Sequence, residues 1–136
     1  MEFIFENQNF DEKDVNNMPS TSLAFVGDAF FTLYARTKVL NTHAKSGKFH
    51  KKTIELVNAH SQSDFLAKLK GLLTEQEEDI VRRARNTYTA SRSKNAKISD
   101  YKRSTAFEAL LGYLFLTKQY ERLHEILKIT CGEVIL

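Results

Sequence analysis

Breakers of regular structure are nearly absent from this chain, whose 136 residues include one proline and five glycines. Its apolar residues recur at helical rather than alternating intervals, so the chain reads as all-α. A hydrophobic content of 42% supports one compact core, and the length is too short for two ordinary domains. Residues 1–19 form an acidic lead-in with Glu2, Glu6, Asp11, Glu12 and Asp14 against Lys13, expected to dock loosely through Phe3, Phe5 and Phe10. Pro19 marks where the helical domain, residues 20–136, can begin.

The periodicity predicts a long helix over 21–40, with Val26, Ala29, Phe30, Leu33, Tyr34 and Thr37 on its apolar stripe. A second helix is expected over 49–60, and a third, capped within Ser61-Gln62-Ser63-Asp64, through Leu72. Thr74 and Glu77 have the spacing of a capping box, which opens a helix through Asn86. Acids crowd the start of that helix and Arg82, Arg83 and Arg85 its end, as the macrodipole favours. Ser104 to Thr117 is an almost uncharged helix that must be central, and a last helix over 120–129 turns Leu123, Ile126, Leu127 and Ile129 to the core.

Within these apolar helices stand two lone carboxylates, Asp28 and Glu108. An ionised carboxylate in a packed helix is costly unless a cation, a metal or several donors satisfy it, so the pair points to one shared site with a divalent metal. Gly27 with Ala24 and Ala29, and Gly112 with Ala106 and Ala109, would let the two helices approach closely enough to bring the acids together.

A basic belt flanks the second acid: Arg82, Arg83, Arg85, Arg92, Lys94, Lys97, Lys102 and Arg103, with Asp100 the only acid from Arg92 onward to Arg103. The polar stretch 87–95 has no apolar period and is expected to be an exposed loop. A charge run is often only a solvated surface. Beside a metal site, Arg and Lys interleaved with Ser, Thr, Asn86, Asn95 and Tyr fit phosphate and sugar contacts. The overall charge of +3 permits a nucleic-acid partner without requiring one. The single Cys131 excludes an internal disulfide, no run is long and apolar enough for a membrane span, and the first residues lack signal-peptide character; a cytoplasmic protein without a membrane partner is expected. His43, His50, His60 and His124 share no spacing and no acid partner, and no Ser or Cys resembles a nucleophile with its base.

These residues carry a family resemblance. Leu23-Ala24-Phe25-Val26-Gly27-Asp28-Ala29 resembles the signature helix of ribonuclease III, and Thr105-Ala106-Phe107-Glu108-Ala109-Leu110-Leu111-Gly112 resembles that family's second catalytic helix. Glu77 to Asn86, Lys94-Asn95-Ala96 and Tyr101 to Leu110 are similar to the Mini-ribonuclease III branch, a catalytic domain without a double-stranded-RNA-binding domain. His50-Lys51 is a weaker match, and the resemblance covers roughly residues 18 to 129. Two family carboxylate positions are occupied by Ala24 and Thr105, a departure that the Mini branch shares. Mg²⁺ keeps several waters and needs only one or two protein carboxylates plus substrate oxygens, so a leaner site can still hold it.

The resemblance implies a homodimeric helical bundle that hydrolyses double-stranded RNA with Mg²⁺, or Mn²⁺ in its place, and leaves 5′-phosphate and 3′-hydroxyl ends. Asp28 and Glu108 would be the catalytic and metal-holding residues. Phe25, at the family's aromatic position, would pack into the partner subunit, with an ordinary core Phe as the competing reading. The implied substrate is the precursor of large-subunit (23S) ribosomal RNA, presented by a large-subunit ribosomal protein. Two rival readings stay open: a catalytically silent RNA-binding ribosome-assembly module, supported by Ala24 and Thr105, and a helical interaction protein in which Glu108 pairs with Arg36 or Arg103.

Overall fold

Two glycines set how closely the central helices approach. A Cβ added to Gly27 would overlap the backbone carbonyl of Glu108, and one added to Gly112 would overlap the backbone carbonyl of Leu23. The contact is reciprocal and runs backbone to backbone, so no larger residue fits at either position without moving a helix. The computed structural model describes residues 2–87 and 97–134, with backbone only at Glu2 and Phe3. Its α-helices are α1 (Glu12–Asn16), α2 (Ser20–Leu40), α3 (Phe49–Val57), α4 (Ala59–Ala67), α5 (Glu75–Asn86), α6 (Ile98–Leu116) and α7 (Tyr120–Cys131). Short 3-10 turns occupy Glu2–Phe5 and Ser46–Lys48, and no strand occurs among the described residues.

The α6 helix is the axis of the bundle, with α2, α4 and α5 as its principal neighbours. Ala106, Phe107, Ala109, Leu110, Leu111 and Leu114 are fully buried, which confirms the central position expected from the uncharged run. Phe107 meets Phe31 of α2 edge to face at 5.3 Å and Phe65 of α4 at 5.9 Å. Aromatic pairs of this kind are worth about 0.5–1.5 kcal/mol beyond area burial. The helix starts six residues before the expected Ser104. Its first two turns carry Lys102 and Arg103 on the solvent side, and Asp100 lies in the first turn, where the dipole favours an acid.

The stripe expected on α2 turns inward only in part: Phe30 and Tyr34 pack against the core and Val26 is half-buried, but the centre of the buried face lies elsewhere. Leu23, Phe31, Ala35 and Val39 are buried, whereas Ala29, Leu33 and Thr37 are exposed. The helix is apolar on more than one side, so periodicity alone does not select the side that meets α6. The α4 cap is also displaced: Asn58, rather than Ser61 to Asp64, accepts from the backbone N–H of Ser61 at 2.8 Å, and α4 ends at Ala67. The α5 capping box forms as the spacing predicts, with Thr74 accepting from Glu77 N at 3.2 Å and Glu77 accepting from Thr74 N at 2.9 Å.

Val15, from the segment before Pro19, is fully buried in the same core. Phe5 packs edge to face on Phe115 at 5.4 Å, while Phe10 stays exposed. The α7 helix buries Leu123, Ile126 and Leu127, and its last carbonyls are satisfied by lysines. Lys68 Nζ donates to Thr130 O at 2.9 Å and Lys38 Nζ to Gly132 O at 3.1 Å. Cys131 is buried beside Tyr34, and burial foremost pushes its thiol pKa up, as suits a packing residue.

Candidate active site

Because α2 and α6 touch at Gly27, the residue after Gly27 and the residue whose carbonyl Gly27 meets emerge on the same side of the crossing. Those residues are Asp28 and Glu108, and their carboxyls lie within hydrogen-bonding reach. Burial foremost, then the hydrogen bond and the charge of Asp28, raise the Glu108 pKa to about 9, against a smaller opposing hydrogen bond from Gln62. Glu108 is thus the acid of the pair that holds a proton at neutral pH. The expectation that both acids are buried holds only in part, since Glu108 is half-buried while Asp28 is exposed at the rim. Among the described residues no ion pair involves either acid, which leaves the Glu108–Arg36 and Glu108–Arg103 pairings without support.

The acids open into a cleft of about 490 Å³ lined by Thr21, Ala24, Phe25, Asp28, Tyr101, Ser104, Thr105 and Glu108. Ala24 and Thr105 thus share the cleft with the two acids, as one helical turn of spacing implies. Thr105 Oγ1 donates back to Tyr101 O at 3.0 Å and Ser104 Oγ to the same carbonyl at 2.9 Å, so both hydroxyls can only accept from a guest. Phe25 is 80% exposed at the edge of the cleft, which excludes a core role for it within one subunit.

A hydrated divalent cation fits this donor set. Two carboxylates in contact without a cation must share a proton, and a hard ion replacing that proton lets both ionise. No group of three or more potential ligands occurs among the described residues, so the protein would supply one or two oxygens and solvent or substrate the remainder.

Gln62 of α4 is a site neighbour that sequence reasoning missed. It is 2% exposed, its Nε2 donates to Val57 O at 2.8 Å, and it is among the groups that bear on the Glu108 pKa. A lone Gln in a polar stretch carries no periodic signal, and only the packing of α4 on α6 brings it to the acid. His60, read as lacking an acid partner, stands beside two: Nδ1 lies 3.1 Å from Asp100 and Nε2 lies 3.4 Å from Asp64.

The basic residues do not form one surface around the cleft. Arg82 pairs with Asp79 and is exposed. Arg83 binds Asp79 at 3.2 Å and donates to Asn16 O at 2.9 Å, tying α5 to α1. Arg85 and Arg103 line a different cavity, of about 560 Å³, with Lys70 and Glu78. Arg103 precedes Glu108 by five residues, which places it roughly 140° around α6 from the acid. Asn86 and Lys97 are exposed at the two ends of the connection between α5 and α6. Arg92, Lys94 and Asn95, with most of the expected loop, lie outside the described residues. No described helix is long and apolar enough to cross a membrane.

Comparison with known proteins agrees with this fold. The family profile of the ribonuclease III domain matches residues 21–119. Mini-ribonuclease 3 of Clostridium tetani is 37% identical over 131 residues, covering 95% of this chain and 87% of that protein. Mini-ribonuclease 3 of Kosmotoga olearia is 40% identical over 124 residues, covering 89% and 84%. A crystal structure of a protein from Fusobacterium nucleatum superposes with a TM-score of 0.78 at 32% identity, covering 89% of this chain and 98% of the other.

Proposed function

The chain belongs to the ribonuclease III domain family and is a ribonuclease, and from that premise we propose that it is a Mg²⁺-dependent endonuclease of double-stranded RNA that leaves 5′-phosphate and 3′-hydroxyl ends. The observation that carries this reading is the Asp28–Glu108 pair, two carboxyls held in contact at the mouth of an open cleft with no basic partner among the described residues. Structural acids are compensated where they sit, as Glu77 is by Arg122, and these two have no such cation among the described residues. When bound, the ion supplies charge for the scissile phosphate and a more acidic water as nucleophile.

The work of the chain is to hold that chemistry in place. Asp28 and Glu108 converge from rigid helices, so their oxygens are set before substrate arrives, and a bound cation would displace the Glu108 proton. Thr105 and Ser104, whose protons are turned back to Tyr101 O, offer only acceptor oxygens along the cleft wall. Duplex RNA presents phosphates and 2′-hydroxyls over a shallow minor groove, so recognition rests on shape and charge. Arg82, Arg85, Lys97 and Arg103, with Arg92 and Lys94, supply that charge, Asn86 and Asn95 supply amide hydrogen bonds, and Arg83 also tethers α1.

The active form in this reading is a homodimer, with one cleft for each strand of the duplex. Phe25, Ala29 and Leu33 lie along one exposed face of α2 at four-residue spacing, an apolar stripe that begins beside the cleft and suits burial against a second copy. The substrate proposed is the 23S ribosomal-RNA precursor, presented by a large-subunit ribosomal protein in place of a separate RNA-binding domain. The residue numbering of the chemistry, 1–19 as lead-in and 20–136 as catalytic domain, belongs to the same reading.

Labelled double-stranded RNA incubated with Mg²⁺ or with EDTA, using Asp28→Asn as control, tests this function. Cleavage that requires both the metal and Asp28 is expected. Binding without cleavage, on duplex and on a structured ribosomal-RNA precursor alike, would favour the silent assembly module that Ala24 and Thr105 support.

A further inference from the structure

Three cations surround the recess between α4, α5 and α6. Lys70 follows the end of α4, Arg85 stands in the last turn of α5 and Arg103 in the second turn of α6, and all three are exposed. Among the described residues none of them makes an ion pair or a side-chain hydrogen bond, although Glu78 lines the same recess. Arginines with a structural role are tied down here: Arg83 binds Asp79 and Asn16 O, and Arg122 binds Glu77 and Leu72 O. The helix dipole accounts for Arg85 at the C-terminal end of α5, but not for Arg103, which lies toward the positive end of α6. Like charges gathered around one recess repel, and an anionic guest reverses that balance.

Below this rim the recess is apolar. Leu66, Leu69 and Val81 are buried, and Leu73 packs against the same core. The cavity of about 560 Å³ lies within the range of roughly 300–1,000 Å³ typical of pockets that enclose small molecules, and it combines an apolar lining with a few convergent polar groups. The backbone of a duplex would meet the rim alone, since its bases are stacked inside. A single nucleotide matches both parts, with phosphate oxygens for the guanidinium and ammonium groups and a flat base for the apolar floor.

We propose that this recess is a nucleotide-binding site separate from the acidic cleft, in which Lys70, Arg85 and Arg103 hold the phosphate and the leucines and Val81 receive the base. The recess and the cleft share no lining residue, and the assignment does not depend on a metal at Asp28 and Glu108. Two sources present this chemistry: a free mononucleotide, and an unpaired nucleotide in RNA that flanks a duplex. In the second case Arg85 and Arg103 serve RNA binding through the unpaired nucleotide rather than along the helix.

The test is titration of the full chain, in EDTA so that no cleavage intervenes, with adenosine 5′-monophosphate, adenosine and inorganic phosphate, followed by calorimetry and methyl resonances. A parallel arm measures the affinity of a blunt RNA duplex and of the same duplex with a short unpaired extension. In at least one arm the methyl signals of Leu73 and Val81 should shift while those of Ala24 and Thr105 in the cleft stay fixed. The mononucleotide should bind about tenfold tighter than adenosine or phosphate, or the extension should tighten duplex binding by a similar factor. The first result identifies a free nucleotide as the source and the second the RNA flank. The double variant Lys70→Gln, Arg103→Gln, with both changes at exposed positions and folding checked by circular dichroism, should abolish the gain.

Unmoved Leu73 and Val81 signals in both arms of the wild-type chain would overturn the site. So would a mononucleotide that binds no tighter than phosphate together with an extension that adds nothing, since the cations would then be a general anion contact. Equal weakening of blunt and extended duplexes by the double variant, with the mononucleotide silent, would make them ordinary duplex contacts and likewise overturn it. Because every arm runs without metal, a failure to cleave RNA leaves these outcomes unaffected.

Discussion

Glu77 and Glu108 are both withdrawn from solvent, and their surroundings differ in every respect that matters. Glu77 is 3% exposed, closes the capping box of α5 and meets Arg122 through Nε at 2.9 Å and Nη2 at 2.8 Å. Burial pushes its pKa up, but the hydrogen bonds and charge of Arg122 and the backbone of Thr74 outweigh it, leaving the carboxyl below its ordinary range. Glu108 has an acid where Glu77 has an arginine, and its pKa rises to about 9. One carboxylate is complete within the fold and the other is left to be completed by a guest. A buried acid therefore marks function only when its compensation is missing, which is the distinction between these two regions.

The sharpest way to break the comparison is to neutralise each acid. Asp28→Asn or Glu108→Gln should lower duplex cleavage by about 10³-fold or more, equivalent to about 4 kcal/mol of barrier, while the chain stays folded and binds RNA. Undiminished cleavage by either variant would remove that residue from the chemistry. Glu77 should behave in the opposite manner. Arg122→Ala leaves a buried charge without its partner and should cost about 3–5 kcal/mol of stability, with cleavage per folded molecule retained; denaturant titration reads the first quantity and active-fraction kinetics the second.

Gly27→Ala tests whether the crossing itself makes the site. The new methyl group must displace α6 at Glu108, with an overpacking cost of about 1–3 kcal/mol or more, and cleavage should fall even in the folded fraction. A stable variant with full activity would show that the backbone contact is dispensable.

The pH dependence of the two acids should run in opposite directions. The raised Glu108 pKa means that the folded metal-free chain holds this proton more tightly than the unfolded chain does. Its contribution to stability is thus fully present below the ordinary carboxylate range and is lost as pH rises toward about 9. The lowered Glu77 pKa contributes above that range and is lost as pH falls through the folded value. Melting curves across pH should show Glu108→Gln flattening the alkaline side and Arg122→Ala the acid side. Mg²⁺ competes with the Glu108 proton, so its apparent affinity should increase with pH over the same alkaline interval.

The smallest effect is expected in the belt. Replacing Arg85 and Arg103 by Ala should reduce the logarithmic salt slope of duplex binding by roughly 2, if each contacts one phosphate. An unchanged slope would remove both arginines from the duplex surface.

Much of the architecture was legible because it rests on local signals. The Thr74–Glu77 spacing specifies a capping box, and the uncharged run around Glu108 specifies a buried helix; both occur where expected. Glycines at Gly27 and Gly112 indicated a close crossing, since only a missing side chain allows it. The reading of α2 failed because that helix is apolar around more of its circumference than one stripe, so its periodicity did not select the buried side. The exposure of Phe25 and Asp28 follows from that orientation.

By itself the sequence determined the helical class, the central place of α6, the family signature and the two acids that share a cleft, because each is written in residue type and short-range spacing. Tertiary structure alone decided that Glu77 is compensated by Arg122, that Gln62 bears on the Glu108 pKa, and that Arg103 faces away from the acid it nearly adjoins in the chain. The physical reason is that compensation of a charge depends on which side chain from a distant segment is packed against it, and that information exists only once the helices have met.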